Sequence, residues 1–337
     1  MDRLSRKRLA SLFAVAALCA VAQPSTGAEM EKVKVAFPSP IVGFAAEFLS
    51  EDLFYKELGL DVQSMEIAGI GSMNAVISGS VDFSFSSGGS LTRAAAHGQK
   101  LLAIATMGNQ SGEFAVIRKD IADAAHFDPK ASVTERAQIL KGRTFGIGGV
   151  NTIGDAYLRV FAKAGGVDTK DIVFASLQPP EILAAMKRKA LDGFSLGAPW
   201  AQQVVDDGSA VMIANGVAGD PPGYSPQASA LLVTRPQMCA EHRSICEKMG
   251  QAMKRAANYM HEHPKESVEL LKKRFPAIDA RVLADAFESV VSMTGQPPAP
   301  SAIQFKNGDR MNLDAGFIKA EDMLPSYEGL FTDEFMK

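Results

Sequence analysis

The sequence contains few of the residues from which catalytic and metal centres are usually built. Its 337 residues include 5 histidines, 3 cysteines and 1 tryptophan, and aromatic residues make up 7%. His261 and His263 lie two positions apart near the end of a predicted helix, so their side chains point to different sides. The chain also lacks an H-E-x-x-H, G-x-S-x-G or Walker sequence. The sequence therefore predicts no metal site, no cofactor and no catalytic machinery.

Basic runs interleaved with aromatic residues, which nucleic-acid-binding proteins commonly use, are also missing. The formal net charge of the chain is −3. Residues 1–28 hold four basic residues and one acidic residue, so removing their net charge of +3 leaves −6 on the rest. A mildly acidic protein is a poor binder of nucleic acid. The length and the 47% hydrophobic content are sufficient for two domains with buried cores.

The first 28 residues have the pattern of a secretory signal peptide. Four basic residues precede an apolar stretch from Leu9 to Val21. That stretch of about 13 residues is too short to cross a bilayer, which argues against a membrane anchor. Thr26-Gly27-Ala28 offers a cleavage site, and an earlier cut after Ala22 is an alternative. We therefore predict a periplasmic protein.

Beyond that segment the chain has two cysteines, Cys239 and Cys246. In an oxidising compartment they can form a disulfide. Seven residues of one regular helix span about 10 Å, which is too far for the bond. A bridge therefore requires Cys239 to lie in a loop before the helix, and Pro236 just upstream is consistent with such a loop. The pairing stays open at this point, and either state gives the two residues a structural role.

The stretches 71–88 and 180–197 share one sequence pattern. Each begins with a helix cap and continues as a short apolar-periodic helix, which ends in a tight turn. An aspartate, a short strand and a loop of small residues follow. Such loops allow a backbone to approach a ligand closely. The repetition indicates two similar lobes that face each other.

Strands and helices alternate along most of the chain, which is typical of α/β proteins with mainly parallel, helix-covered sheets. After Pro236 the pattern becomes helical, and a final helix is predicted within residues 314–327. The expected division is a first lobe over 29–110, a second lobe over 111–235, and a helical segment over 236–337 that returns to the first lobe.

Several predicted strand-to-helix junctions are rich in glycine and in small hydroxyl residues. Helix N-termini present unpaired N–H groups and a partial positive charge, so they bind anions without lysine or arginine. In open α/β sheets, ligands lie at the carboxyl ends of the strands, where such loops gather. The junctions together predict a site for a small neutral or singly anionic ligand, although each junction alone could simply cap its own helix. The junctions concerned are residues 38–40, 71–72, 86–90 and 149–152.

Two further residues have two interpretations each. Arg93 follows a predicted helix start, where a cation is unfavourable against the helix dipole. The position hints at a contact with ligand, but a solvated side chain is the simpler interpretation. Trp200 ends the second repeat and either covers an apolar part of the ligand or belongs to the core.

Short motifs in both halves resemble the substrate-binding proteins of ABC importers for nitrate, sulfonates, taurine and pyrimidine precursors of thiamine. In the first half these motifs are G-L-D-V at 59–62, G-S at 71–72, A-V-I-S-G-S-V-D-F at 75–83 and A-H-G at 96–98. In the second half they are L-K-G-R-T-F-G at 140–146, A-L-D-G-F at 190–194 and A-P-W at 198–200. The resemblance covers most of the chain beyond residue 28, and the order of the motifs carries it.

This resemblance implies a type II-like periplasmic binding protein fold, hinged near 108–112 and 223–236, whose two lobes close on a ligand. Carried over by position, it implies ten binding residues from both lobes. In the first lobe they are Ser39, Pro40, Gly71, Ser72, Ser87 and Gly88, and in the second lobe Asn151, Thr152, Gln178 and Trp200. The implied partners of this predicted monomer are a membrane permease and its ATPase subunit. Ligand specificity in the family follows no shared motif, so the resemblance does not identify the solute.

The sequence thus predicts an extracytoplasmic solute-binding protein of an ABC importer. An enzyme on the same fold, similar to one of pyrimidine-precursor synthesis, is an alternative. Such a relative needs a Cys/His-rich iron site and works inside the cell, and this sequence disagrees with both features. A sensing module that signals to a membrane partner is a further alternative, which the sequence alone does not separate from transport.

Overall fold

The structure, a computed structural model, describes residues 29–336 and contains two five-stranded sheets. The predicted signal peptide lies outside the described residues. In each sheet four strands run in one direction and a single strand runs antiparallel to its two neighbours. The prediction of an α/β fold with two mainly parallel sheets is confirmed.

The first sheet is built mostly from the beginning of the chain. Its strands are β1 (Glu31–Phe37), β2 (Leu60–Glu66), β3 (Phe83–Ser86), β4 (Leu102–Gly108) and β10 (Ser229–Thr234). Their order across the sheet is β2-β1-β3-β10-β4. The second sheet is built from the middle of the chain. Its strands are β5 (Glu113–Arg118), β6 (Thr144–Ile147), β7 (Val173–Ser176), β8 (Gly193–Gly197) and β9 (Ala210–Asn215), in the order β7-β6-β8-β5-β9.

Strand β10 belongs to the first sheet, although the sequence analysis placed it in the second lobe. Leu231 pairs with Ser86 of β3 and with Thr106 of β4, so the strand has a hydrogen-bonded neighbour on each side. Every residue of β10 is buried, as expected for a central strand covered on both faces. The chain therefore returns to the first sheet before position 229, earlier than the expected boundary at 235.

Thirteen α-helices cover the sheets within residues 29–336. Those between the strands are α1 (Ala45–Leu53), α2 (Gly71–Ser78), α3 (Gly88–Ala96), α4 (Lys119–Ala124), α5 (Val133–Ala137), α6 (Ile153–Ala164), α7 (Pro179–Lys187) and α8 (Trp200–Asp206). Those after β10 are α9 (Pro236–Glu241), α10 (Arg243–Glu262), α11 (Pro264–Leu271), α12 (Ala280–Met293) and α13 (Ala302–Asp314). Single 3₁₀ turns occupy Val42–Phe44, Gln138–Leu140, Thr169–Asp171, Ala320–Asp322 and Glu334–Met336.

Helix α6 shows how the sequence fixes an element beside the cleft. Tyr157 and Phe161 lie four residues apart, on one face of the helix, and both are fully buried in the second lobe. The helix ends at Gly165, and Gly166 adopts a φ of +69°, a conformation that glycine accepts readily. Apolar spacing therefore fixes which face of α6 is buried, and the glycines fix where the helix ends.

The helices after β10 contact both lobes. Helix α10 packs against α1 and β4 of the first lobe. Helix α12 also contacts α8 of the second lobe, and α13 lies against both α3 and α6. This part of the chain consequently covers one lobe and bridges to the other.

The final helix lies earlier than predicted. Helix α13 spans Ala302–Asp314. Residues 315–327 contain one 3₁₀ turn and no α-helix. The N-cap Ser301 follows Pro300, and its N–H donates to the Gln304 side chain at 2.9 Å, which starts the helix directly after the proline-rich linker. Gly316, with a φ of +77°, follows its end. The prediction of a helix within 314–327 was wrong because it overlooked these two signals.

Cys239 and Cys246 form a disulfide with their Cα atoms 5.5 Å apart. Cys239 lies in the short helix α9 rather than in a loop, and Cys246 lies in α10. His242, with φ −128° and ψ 54°, separates the two helices. This break in the helix brings the two cysteines close enough to bond.

The chain passes between the sheets twice, over residues 109–112 and 216–228. Both segments overlap the hinge positions that the family resemblance implies. None of the helices in the described part of the chain is both long and apolar enough to cross a membrane.

Candidate functional site

A cavity of about 410 Å³ lies between the two sheets. Its polar loops follow the carboxyl ends of β1, β2 and β3 in the first lobe and of β6 and β8 in the second. This is the edge at which open α/β sheets bind ligands. The volume falls within the range of about 300–1,000 Å³ that is typical of small-molecule sites.

Five of the ten predicted binding residues line this cavity. They are Ser39, Ser72, Ser87, Asn151 and Thr152. The structure thus brings together residues that lie more than 100 positions apart, from both lobes. Their role in binding remains a prediction.

The other five predicted residues do not line the cavity. Gly71 faces Ile67, Gly88 packs against Ala228, and the Gln178 N–H donates to Glu181 at the start of α7. Trp200 is 8% exposed and packs edge-on against Phe275. Its Nε1 donates to the carbonyl of Pro40 at 3.0 Å, so the pair connects the two lobes beside the cavity rather than within it.

The hydroxyl groups at the junctions mostly satisfy their own helix ends. The Ser87 Oγ accepts the N–H of Ser90 at 3.3 Å, as an N-cap of α3 does. The Thr152 Oγ1 donates to the carbonyl of Gly149 at 2.7 Å, and the Ser72 Oγ donates to a carbonyl in the same way. By contrast, the Ser39 hydroxyl has no hydrogen-bond partner among the described residues.

The start of α6 presents backbone donors toward the cavity. Thr152 is the N-cap residue, but its side chain accepts no N–H of the first turn. Ile153 and Gly154, the first two residues of the helix, line the cavity. Asn151 precedes the cap with a φ of +60°, and its N–H donates to Asp155 at 2.8 Å. This loop therefore leaves the N–H groups of the first turn without a side-chain acceptor.

Arg93 is not a solvated residue, which corrects the simpler sequence interpretation. Its Nη2 donates to the carbonyl of Asn151 in the second lobe at 2.6 Å, and its Nη1 donates to Asn312 of α13 at 3.2 Å. The guanidinium lies 5.4 Å from the centre of the Phe317 ring. Burial lowers the pKa of Arg93 from its ordinary value, and the charge of Asp155 opposes this shift. Arg93 thus connects both lobes at the cavity wall.

Glu113, at the start of β5, is a cavity residue that the sequence analysis did not single out. It is 6% exposed and lines the cavity. Its carboxyl group has no hydrogen bond and no ion pair among residues 29–336. Burial raises the pKa of Glu113 from 4.5 to about 7. No local motif marks this residue, because a single carboxylate beside a chain crossing has no characteristic spacing.

Apolar side chains supply much of the remaining wall. Ile41, Phe44, Met73 and Phe85 come from the first lobe, Leu196 comes from the second, and Met293 comes from α12. The cavity therefore combines an apolar surface with a few polar groups, as ligand pockets usually do. Within residues 29–336, no group of three or more His, Cys, Asp or Glu side chains is placed to hold a metal ion.

Two lobes with mainly parallel sheets, joined by two crossings around a cavity, define the periplasmic binding protein fold. The chain belongs to the family described as "NMT1/THI5 like", whose model matches residues 50–267. The nitrate/nitrite binding protein NrtA from a Nostoc species is 36% identical over 89 residues. That match covers 26% of this chain and 18% of NrtA, so it spans less than a fifth of the relative's length.

Solved structures of binding proteins share the fold. The alkanesulfonate-binding protein SsuA from Xanthomonas axonopodis pv. citri, bound to MOPS, aligns with a TM-score of 0.68 and 16% identity over 89% of this chain and 96% of SsuA. The ligand-binding component of an ABC-type import system from Staphylococcus aureus, with zinc bound, aligns with a TM-score of 0.71 and 15% identity. The alignment covers 91% of this chain and 98% of that protein. The periplasmic nitrate-binding protein NrtA from Synechocystis aligns with a TM-score of 0.62 and 18% identity, over 76% of this chain and 70% of NrtA.

Proposed function

We propose that this protein is the extracytoplasmic solute-binding component of an ABC importer. It captures a small polar or anionic organic solute between its lobes and delivers it to a membrane permease that an ATPase subunit drives. In this proposal residues 1–28 direct secretion to the periplasm, and the protein acts as a monomer without catalysis. The two lobes are the sheet β1–β4 with β10 and the sheet β5–β9.

The observation that carries the proposal is the cavity between the two lobes, lined by loops from both sheets. A solute held there touches both lobes at once, so its binding energy favours the closed arrangement over an open one. The relatives' names support the same class of function, because all four are binding proteins or import components. Those names include nitrate, alkanesulfonate and zinc, so they do not identify one solute for this chain.

Contacts across the cleft support capture by closure. The Arg93 guanidinium reaches the carbonyl of Asn151. Gly69 and Gly149 approach so closely that an added Cβ on Gly149 lies 3.2 Å from the Gly69 Cα. Behind the cavity, the Val42 N–H donates to the carbonyl of Ala198 at 2.8 Å. Lobe opening breaks the first two contacts, which are therefore the ones expected to depend on the bound solute.

The test is native mass spectrometry of the protein purified from its own host, which detects a co-purified solute. The variant Ser39→Trp places a large side chain in the cavity wall without removing a helix cap, so we expect it to lose the solute. Ser80→Trp changes an exposed serine after α2 and is the matched control. Circular dichroism and thermal melting check that both variants fold.

Retention of the solute by Ser39→Trp, or its equal loss from both variants, contradicts binding in this cavity. If the protein from the host and the protein titrated with a solute panel both stay empty, solute binding itself is contradicted. Nitrate, alkanesulfonates, taurine, aromatic carboxylates and aminopyrimidines form a suitable panel.

A further inference from the structure

The Glu113 carboxyl group is the one acidic group of the cavity wall among the described residues, and it has no protein partner. A buried carboxylate without hydrogen bonds is costly, and most buried polar groups in proteins are satisfied. Only 6% of Glu113 is exposed, and this exposed part faces the cavity. A group bound in the cavity is therefore in a position to satisfy it.

The groups around Glu113 do not neutralise it. An added Cβ on Gly154 lies 3.0 Å from the Glu113 Oε2, so the carboxyl sits against the first turn of α6. In that helix Asp155 is paired with Arg159 at 2.6 Å, and Tyr157 is fully buried with no partner for its hydroxyl. In β8 the Ser195 Oγ, which belongs to the cavity wall, is also buried without a partner. Glu113 has thus no cation beside it.

The position of Glu113 also disfavours an anion at the start of α6. The partial positive charge of that helix end already faces a carboxyl group. A second negative charge in the same place repels the first and forces one of the two to take up a proton. An oxyanion therefore binds beside Glu113 only after this carboxyl group has taken up a proton, whereas an N–H donor pairs with the carboxylate directly.

Arg93, the one arginine or lysine in the cavity wall of the described chain, does not compensate for this. Its Nη2 is used by Asn151 and its Nη1 by Asn312, while one face lies against Phe317. An oxyanion that takes both terminal nitrogens, as bidentate recognition requires, must displace these contacts. The cavity therefore holds an available carboxyl acceptor and an arginine already occupied by protein groups.

The size and the apolar wall of the cavity indicate an organic molecule. A volume of about 410 Å³ equals that of roughly 14 water molecules at about 30 Å³ each. A small inorganic anion fills only a minor part of this space. The side chains of Phe44, Met73, Phe85 and Met293 offer contact to a hydrocarbon or aromatic body.

We infer that the solute of the proposed transport function, on which this inference rests, is a partly apolar organic molecule that donates an N–H hydrogen bond to Glu113. A primary ammonium group and an amino group on an aromatic ring share this chemistry. The donor satisfies the Glu113 carboxylate, the apolar body lies against the Phe and Met side chains, and the solute is not an inorganic oxyanion.

The experiment is isothermal titration of the wild-type protein and of Glu113→Gln. The N–H donors are a 4-aminopyrimidine and an aromatic primary amine such as phenethylamine, and the acceptor-only probes are nitrate and butanesulfonate. We expect an N–H donor to bind the wild type and Glu113→Gln to weaken it by about tenfold to a hundredfold, as for a hydrogen bond to a charged group. Glu288→Gln, an exposed carboxylate on α12, makes the same chemical change and should leave the affinity unchanged.

A second measurement reports on the carboxyl group directly. Because the pKa of Glu113 is about 7 in the empty site, an N–H donor that requires the carboxylate releases part of a proton on binding at pH 7. Titration in two buffers of different ionisation enthalpy measures this release, which should vanish in Glu113→Gln. Tyr157, whose own pKa is raised, stays protonated throughout.

Binding of nitrate or butanesulfonate alone, or an N–H donor that binds wild type and Glu113→Gln equally, overturns the inference and leaves the solute-binding function intact. If neither set of probes binds and the protein from its host carries no solute, the inference and the proposed function are both contradicted.

Discussion

Glu47 is a fully buried carboxyl group in the first lobe, away from the cavity. The hydroxyls of Tyr55 and Ser64 donate to its two oxygens. Burial raises the pKa of Glu47 from 4.5 to about 7, and the two hydrogen bonds and the charge of Arg274 only partly oppose this. Burial therefore favours the protonated carboxyl group, and the free energy of unfolding depends on whether Glu47 is protonated.

The pKa of Glu47 predicts a loss of stability as the pH rises. Between about pH 4.5 and 7 the folded state keeps this proton while the unfolded state releases it, so the free energy of unfolding falls with increasing pH. Relative to Glu47→Gln, which has no such proton, the wild type should lose on the order of 3 kcal/mol between pH 4.5 and 8. Urea unfolding of both proteins across this range measures the difference.

Glu241→Gln serves as the control for that measurement, because Glu241 is exposed on α9. Its difference from the wild type should stay nearly constant across the pH range. The pKa of Glu113 is raised like that of Glu47, so Glu113 also makes the stability of the wild type depend on pH. The comparison therefore uses the difference in free energy of unfolding between wild type and variant at each pH. A difference for Glu47→Gln that does not change with pH contradicts the assignment.

Single residues mark the limit of what the sequence predicts. Ser39, Asn151 and Thr152 were found because small and polar residues at strand-to-helix junctions have a recognisable pattern, and strand ends converge in this fold. Arg93 was misjudged because its partner Asn151 lies in the opposite lobe. Glu113 was missed because a single carboxylate has no characteristic spacing and because its burial depends on α6, about 40 positions further along the chain. The sequence allows Trp200 either to contact the ligand or to belong to the core. Its contact with Phe275, which lies 75 positions further along the chain, places it in the core.

At the scale of elements, the disulfide between α9 and α10 closes a short loop in the described structure. A cross-link over so few residues restricts the unfolded chain only modestly, so breaking it should lower the free energy of unfolding by roughly 2 kcal/mol. Cys239→Ser/Cys246→Ser should show this loss in urea unfolding. The cavity lining includes neither helix, so solute affinity should remain as in the wild type.

Reductant provides the internal control for the disulfide. Dithiothreitol should bring the wild type to the stability of the double variant and should leave the double variant itself unchanged. A reduced wild type as stable as the oxidised protein would show that the bond adds nothing to the fold.

Elements were predicted well where local patterns decide them. Local patterns predict a strand over 144–147 and a helix that opens at 148–152 and continues to about 164, and β6 and α6 lie at these positions. The partner of a strand is a different question, because pairing depends on distant residues. Residues 230–233 of β10 are predicted as a strand from their apolar sequence, yet that sequence does not reveal that β3 and β4 lie on either side of it.

At the scale of the whole molecule, Gly69 and Gly149 bring the two lobes into backbone contact. An added Cβ on Gly149 lies 3.2 Å from the Gly69 Cα and 3.0 Å from the Thr152 Cγ2, closer than ordinary van der Waals contact. Gly149 has no positive φ, whereas Gly69 has a φ of +57°. A side chain at 149 is therefore compatible with its own backbone conformation, but it meets the Thr152 side chain of its own lobe and the Gly69 backbone of the opposite lobe. The Thr152 side chain can turn aside, whereas the Gly69 backbone gives way only if the lobes separate.

Gly149→Leu should hold the cleft partly open. If the closed population falls to about a tenth, the apparent affinity for the co-purified solute falls about tenfold, because only the closed form makes all the contacts. Small-angle X-ray scattering should show a larger radius of gyration for the solute-bound variant than for the bound wild type. Its melting temperature without solute should change little, because the contact lies outside both sheets.

Lys130→Leu adds a leucine to an exposed loop of the second lobe and is the matched control. It should bind and scatter as the wild type does. Gly149→Leu that closes fully and binds with unchanged affinity contradicts the role of this contact in closure.

The return of β10 to the first sheet determines how much of the chain each lobe needs before all of its strands are present. All strands of the second sheet, residues 113–215, lie in one uninterrupted stretch. The first sheet lacks β10, the interior strand between β3 and β4, until residues 229–234 are present. A nascent chain that ends before them therefore leaves β3 and β4 without the neighbour that joins them, even though the second lobe is complete. The lobe that begins the protein is thus the last to have all its strands along the chain.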